Sequence, residues 1–212
     1  MYLPGSFREQ DVGRMHALMR ERPLGTLVSH GSSGLFASPV PFLVDAREDG
    51  LGVLRAHMAR ANPHWQILAE GGECLVLFHG EQGYVSPAWY PSKAQAGHVV
   101  PTWNYVLVEA RGKAKVIEGV AWLESQVADL TRCHEGVRSA PWQLGDAPEA
   151  YLAMQLKAIV GVEIRVTALT GKWKLSQNRS EPDRNGVLAG LSDPEDAHHH
   201  AALAECMAAQ PR

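Results

Sequence analysis

The chain is cut into short β-rich runs by turn signals, and that punctuation restricts its fold more than any other feature. Leu24 to His30 reads as a strand, Gly31-Ser32-Ser33-Gly34 as a hairpin turn, and Leu35 to Val44 as the return strand. Pro39 and Pro41 cannot donate to a ladder, so the return strand belongs at an edge or carries a bulge. Asp49-Gly50 turns the chain into Leu51–Met58, and Cys74 to Phe78 reads as a short apolar strand. Trp103 to Ile117 and Gly161 to Leu175 are the long strands of the second half. Strands joined this tightly, with helices inserted between them, make a small antiparallel β-barrel with peripheral helices (α+β).

The inserted helices have their own signals. Ser6-Phe7-Arg8-Glu9 fits a capping box, followed by Val12, Met15, Leu18 and Met19 on one helical face until Pro23. Asn62-Pro63 offers an N-cap and a first-turn proline, and Gly71-Gly72 closes that helix. Gly119 to Leu130 and Ala150 to Ile159 are further helices, and Ser86 to Val100 is an ordered loop. Ser180 to Leu191 and Asp193 to Ala209 read as weakly amphipathic helices.

With 212 residues, 45% of them hydrophobic, the chain can build one core or two small ones. A net charge of -3 gives no global field to recruit nucleic acid. Three scattered cysteines, Cys74, Cys133 and Cys206, form neither a disulfide framework nor a zinc pattern. The start MYLPGSFREQD lacks the regions of a signal peptide, and no apolar run approaches the roughly 20 residues of a membrane helix. The expected setting is the cytoplasm, and no membrane partner is expected. His198-His199-His200 cannot close on one ion, because successive helical residues point about 100° apart, so it is expected to be a solvated face, and no metal is expected.

Polar and aromatic residues crowd several strand ends. A helix beginning at Asn62 presents unpaired N–H groups, with Arg60 beside it and His57 on the strand leading in, which suits a phosphate as well as a plain surface ion pair and cap. Trp89, Trp103 and Trp173 offer flat faces for a planar heterocycle or for a core, and Thr102, Asn104, Gln177 and Asn178 offer donors and acceptors for a polar edge. The loop Tyr84 to Lys93, holding Ser86, Trp89 and Lys93, has the same character. Neither glycine-rich phosphate loop nor nucleophile elbow occurs, and no catalytic residue can be named.

Taken in order, MYLPGSF, ARANPHW, YVSPAWYPSK, VPTWNY, AIVGVEI and GKWKLSQNR, followed by Asp183-Arg184 and Gly190-Leu191, resemble the PaiB family, the FMN-binding negative transcriptional regulators. The resemblance covers residues 1–191, the expected FMN-binding domain with inserted helices, and leaves 192–212 as a C-terminal helical tail. It implies an FMN-binding split β-barrel and a homodimer with flavin at the subunit interface. It also implies a role as a repressor of protease and sporulation functions. In such a dimer Lys172, Lys174 and Arg179 would balance the flavin phosphate or pair with partner carboxylates, and Gln177 and Asn178 would satisfy shielded polar edges. The cofactor-binding set is then His57, Arg60, Asn62, Ser86, Trp89, Lys93, Thr102, Trp103, Asn104, Lys174, Gln177 and Asn178. The function expected first is a flavin-linked regulator or sensor, and second a flavin-dependent oxidoreductase acting on a small molecule. A cofactor-free interaction module ranks third. Direct DNA binding ranks last, because no recognition helix or basic cluster is present.

Overall fold

The computed structural model describes residues 1–32, 34–46 and 50–210, with the side chains of 95 and 96 left aside. The strands are β1 (Arg8–Glu9), β2 (Leu24–Gly31), β3 (Gly34–Pro41), β4 (Leu43–Asp45), β5 (Val53–Ala59), β6 (Glu73–Val85), β7 (Thr102–Ile117) and β8 (Ile159–Lys174). The helices are α1 (Val12–Glu21), α2 (His64–Ala69), α3 (Lys93–Ala96), α4 (Val120–Glu135), α5 (Glu149–Lys157), α6 (Glu181–Ser192) and α7 (Ala201–Ala208). The strand order is β3-β2-β6-β7-β8-β5-β4, with β1 added to β8.

The chain divides into two compact units: Val12–Phe78 with Glu109–Leu169, and Met1–Asp11 with His79–Val108 and Thr170–Arg212. In the first, β2 and β3 form the expected hairpin, closing at Gly31↔Gly34, and β3 lies at the sheet edge that its prolines demand. Ser33 of that turn and Asp49 of the next lie outside the described residues. Strand β5 pairs antiparallel with β4 on one side and β8 on the other. The core gathers Leu27, Leu54, Val76, Phe78, Val162 and Ile164 of the strands and Phe42 between β3 and β4, with Met15 and Met19 of α1. Phe42 and Phe78 meet edge to face at 5.8 Å. Each such side chain contributes about 1.5–3 kcal/mol by leaving water. Gly161 lets α4 approach β8: a Cβ there would lie 2.3 Å from the ring of Trp122.

In the second unit, Val187 and Leu191 of α6 and Leu203 and Met207 of α7 are fully buried with Leu175 and Val85. Of the stretch from 192, Leu203, Ala204 and Met207 of α7 are buried in this core. His200 starts α7, its ring nitrogen accepting the Leu203 N–H at 3.3 Å, while the His198 ring lies 4.6 Å from that of Tyr84. His198 and His199 are exposed, as expected of a solvated face, while His200 also caps α7.

Several local expectations need correction. Ser6–Glu9 is no capping box: residues 5–7 form a single 3-10 turn, and Arg8–Glu9 pairs with Lys172 and Gly171 of β8. That non-local ladder outcompetes the local cap, and Glu9 instead accepts the N–H groups of Gln10 and Asp11. The strand expected to end at Phe78 runs on to Val85, and the helix expected to end at Leu130 runs to Glu135. The loop after Ser86 contains a 3-10 turn at Pro87–Trp89 and the short α3. The stretch from Asp193 is helical only from Ala201.

Candidate functional site

The site residues expected from sequence divide between the two units. In the first, β5 delivers His57 and the chain turns at Arg60–Pro63 into α2. Asn62 is the expected cap: its Oδ1 accepts the His64 N–H at 3.0 Å, and its Nδ2 donates to Ser38 Oγ at 3.3 Å. Arg60 is heavily engaged. Its Nη1 donates to Glu118 at 2.6 Å, its Nε to the Lys157 carbonyl at 3.1 Å and its Nη2 to the Ile159 carbonyl at 3.2 Å. Its own carbonyl accepts the Trp65 indole N–H at 2.9 Å. The guanidinium thus ties this corner to the ends of α5 and β7, and an incoming phosphate would have to displace Glu118. His57 lines a cavity, and its buried Nδ1 has no partner. Burial lowers its pKa, so the ring is neutral at pH 7.

Beside Asn62 lies a buried polar chain. His64 is fully buried, and its two ring nitrogens bond Ser29 Oγ and Ser38 Oγ, each at 2.9 Å. A neutral imidazole donates from one nitrogen and accepts at the other, so both serines are served. Nothing in ARANPHW signals those serine partners.

In the second unit, the aromatic loop is held from within. Ser86 Oγ accepts the Ala88 N–H at 3.1 Å. The Trp89 ring fits against Gly190 of α6, where a Cβ would come within 2.4 Å of it, and its N–H donates to Asp196 at 2.9 Å. Lys93 is exposed. Asn104 is buried and exchanges hydrogen bonds with Ser176 Oγ at 3.0 and 3.2 Å. Gln177 accepts the Leu175 N–H at 2.7 Å and donates to the Trp173 carbonyl at 2.6 Å. These amides close the turn after β8, where Ser176 takes φ 64°, the left-handed region that a β-carbon resists. Trp173 is buried, and Asn178 is exposed.

What stays available is a cationic and aromatic cluster at the start of β7 and the end of β8. Lys174 Nζ donates to Thr102 Oγ1 at 2.6 Å and to the Trp103 carbonyl. Lys172, 7% exposed, donates to the Tyr2 carbonyl at 3.1 Å and lies 5.0 Å from the Tyr105 ring centroid, with Lys174 at 5.9 Å from the same ring. Arg179 lies over the Tyr90 ring at 4.8 Å, and the buried Tyr90 hydroxyl has no hydrogen-bond partner. Trp103 is 54% exposed and meets Tyr84 edge-on at 6.3 Å. Burial, then the charges of Lys172 and Arg179, lower the pKa of Lys174. Asp183 is occupied elsewhere. Burial pushes its pKa up, but the Ser92 N–H and hydroxyl, with Ser180 and Arg179, outweigh that and hold it below the usual carboxylate range. Lys172 and Arg179 were expected beside the phosphate through the resemblance, and Tyr90 stood outside every expectation.

Residues 1–168 match the family described as "Putative FMN-binding domain". An uncharacterized protein of Emericella nidulans is 36% identical over 91% of this chain and 91% of its own length. The Bacillus subtilis protease synthase and sporulation protein PAI 2 is 30% identical over 92% of this chain and 91% of its own length. Among solved structures, the flavocytochrome Anf3 of Azotobacter vinelandii superposes with a TM-score of 0.56 at 17% identity, over 83% of this chain and 71% of that one. The FAD and heme binding protein of Mycobacterium smegmatis gives 0.55 at 17% identity, over 79% and 73%. The fold is the antiparallel split β-barrel, and the chain belongs to the PaiB-type FMN-binding family. FMN is the cofactor of this domain. The second unit fits its phosphate chemically: three cations make no ion pair among the described residues, and an orphaned buried hydroxyl lies beside one of them.

Proposed function

We propose that this FMN-binding split-barrel protein is a flavin-linked regulator or sensor that acts as a homodimer in the cytoplasm. The observation carrying the flavin seat is the Lys174 ammonium, held by Thr102, partly buried near Lys172 and Arg179, and in no ion pair among the described residues. A phosphate dianion placed there relieves the repulsion among these cations and gains charge-assisted hydrogen bonds. Thr102 holds Lys174 in place, Arg179 supplies a planar fork, and the exposed Trp103 offers a face to a planar ring. Asn178 and Lys93, both exposed, are free to reach a ligand from the same unit. Bound FMN supplies the electron-transfer chemistry; these side chains bind and orient it.

The regulatory half of the reading is supported by similarity to the Bacillus subtilis protein named for protease synthesis and sporulation. The homodimer is supported by apolar side chains left at the surface of the first unit, Trp142 at 43%, Tyr151 at 51% and Met154 at 58% exposure. Sedimentation of the flavin-loaded protein at micromolar concentration is expected to give a dimer. Among the described residues no helix is long and apolar enough to cross a membrane.

Titration of FMN and riboflavin against wild type and Lys174→Ala tests the seat. Removing one charge-assisted bond of about 1.5–3 kcal/mol should weaken FMN tenfold to a hundredfold. Riboflavin, which lacks the phosphate, should bind the two proteins alike, and equal losses for both ligands would discard the assignment. The second reading, a flavin-dependent oxidoreductase, draws support from the cofactor's own redox chemistry. Steady turnover of a reduced nicotinamide with an electron acceptor would favour it over the regulator.

A further inference from the structure

The N-terminal residues of the second unit return twice to Lys172, beside the flavin seat. Strand β1 pairs with β8 through Arg8↔Lys172 and Glu9↔Gly171, and Phe7, buried just before that ladder, anchors the chain. Upstream, residues 5–7 make a single 3-10 turn, in which the Phe7 N–H donates to the Pro4 carbonyl at 3.0 Å. A Cβ on Gly5 would meet nothing within 4 Å, so no neighbour crowds this turn. The chain then comes back to the Lys172 side chain, whose ammonium donates to the Tyr2 carbonyl at 3.1 Å and lies 5.8 Å from the Tyr2 ring centroid. Residues 2–8 thus form a loop tied at both ends to Lys172, by backbone at Arg8 and by side chain at Tyr2. The Tyr2 end is the weaker tie, because Tyr2 is 85% exposed and chain ends order only where they are held.

We propose that residues 1–4 are a displaceable strap that competes with phosphate for Lys172, so that the protein limits its own flavin affinity; this rests on the flavin seat proposed above. An ammonium has three N–H donors. Lys172 spends one of them in a hydrogen bond among the described residues, although the residue is 7% exposed. The Tyr105 ring at 5.0 Å and the Tyr2 ring meet its charge only through their π-systems. A neutral carbonyl and two rings are weak company for a cation withdrawn from water. Phosphate oxygens bring full negative charge and make the stronger charge-assisted bonds, so they take Lys172 from Tyr2 where both compete. Lys174 lies 5.9 Å from the same Tyr105 ring, which brings the strap's tie and the seat's ammonium to one side chain. The strap turns at Gly5, while Phe7 and the β1–β8 ladder stay in place. The bond to a cation is offset by the entropy of fixing a chain end, leaving the closed strap favoured by about threefold to tenfold. Only the open fraction offers Lys172 to phosphate, so apparent FMN affinity falls by about the same factor.

The test titrates FMN and riboflavin by fluorescence against the wild type and a chain lacking residues 2–4, each alone and with Lys172→Met. Removing the strap should tighten FMN about threefold to tenfold and leave riboflavin, which has no phosphate, unchanged. In the Lys172→Met background the same removal should change neither ligand, because the contested ammonium is gone. The wild type supplies a check that needs no variant. Chymotrypsin should cut the Tyr2–Leu3 bond faster with saturating FMN than with saturating riboflavin, read by mass spectrometry as loss of the first two residues. A shortened chain that binds FMN no more tightly, a gain shared by riboflavin, a gain that persists with Lys172→Met, or a cleavage rate indifferent to FMN would each overturn the proposal. Lys174→Ala separates the two readings. If it weakens FMN while the shortened chain gains nothing, the strap falls and the seat stands. If it leaves FMN binding unchanged, the seat falls and the strap with it.

Discussion

Replacing His64 by Phe probes the buried chain beneath the Asn62 corner. The imidazole bonds Ser29 Oγ and Ser38 Oγ at 2.9 Å each, and all three residues are buried. The Phe variant keeps an aromatic ring against Phe36, whose centroid lies 5.2 Å away, so packing changes little. The polar losses are unequal. Ser29 loses its partner outright, at about 1–3 kcal/mol for an orphaned buried hydroxyl. Ser38 still receives the Asn62 amide at 3.3 Å and loses about 0.5–1.5 kcal/mol. The sum is about 1.5–4.5 kcal/mol, measured as a drop in urea midpoint at constant slope. The asymmetry supplies the sharper test. Adding Ser29→Ala to His64→Phe removes the orphan and should return at least about 1 kcal/mol. Adding Ser38→Ala instead strands the Asn62 donor and should return nothing. If the two second substitutions rescue equally, or if His64→Phe alone costs under about 1 kcal/mol, the accounting by individual partners is refuted.

Burial holds the folded-state pKa of both His57 and His64 below the ordinary histidine value. The unfolded chain then takes up protons first, so stability should be level above about pH 7 and fall as pH drops below about 6.5, by at most about 1.4 kcal/mol per pH unit per histidine. A pH series of urea melts should show a shallower fall for His64→Phe. Gly161→Ala would set a Cβ 2.3 Å from the Trp122 ring and should cost about 1–3 kcal/mol in the same assay. Arg60→Ala should move stability by less than about 1 kcal/mol, because its pair with Glu118 is well exposed. Its effect on FMN affinity should be smaller than that of Lys174→Ala, because its fork already has three acceptors.

Elements written in short-range signals were legible. The β2–β3 hairpin, the prolines of edge strand β3, the Asn62 cap and the Met15–Met19 stripe follow from turn chemistry and periodicity. Partners distant in sequence were not. The Ser6–Glu9 segment obeys a strand 162 residues away rather than its own capping pattern, as the register Glu9↔Gly171 makes plain. The strand after Phe78 was cut short because HGEQGY lacks apolar residues, yet it continues the ladder to Val85. At the site, residue chemistry was read more accurately than its employment. Asn104, Gln177 and Trp89 have the donors and faces attributed to them, but spend them on Ser176, the Trp173 and Leu175 backbone and the glycines of α6. The cations of GKWKLSQNR make no ion pair among the described residues, although Arg179 lies near enough to Asp183 to help lower its pKa.

The seating of Trp89 on α6 also bears on how the chain acquires its structure. Gly186 and Gly190 lie inside that helix, and each costs about 1 kcal/mol relative to alanine as a helix former. An excised peptide of twelve residues with two such interruptions stays a coil in water. The glycines are tolerable only once the loop lies against them, the Trp89 indole on Gly190 and the Trp89 carbonyl on Gly186, and Ser92 clasps Asp183 from the same loop. Loop and helix, 91 positions apart at that clasp, must therefore order in a single cooperative event. The ribosome delivers the loop long before the helix, so this part of the molecule waits for nearly the whole chain to be synthesised before it can set.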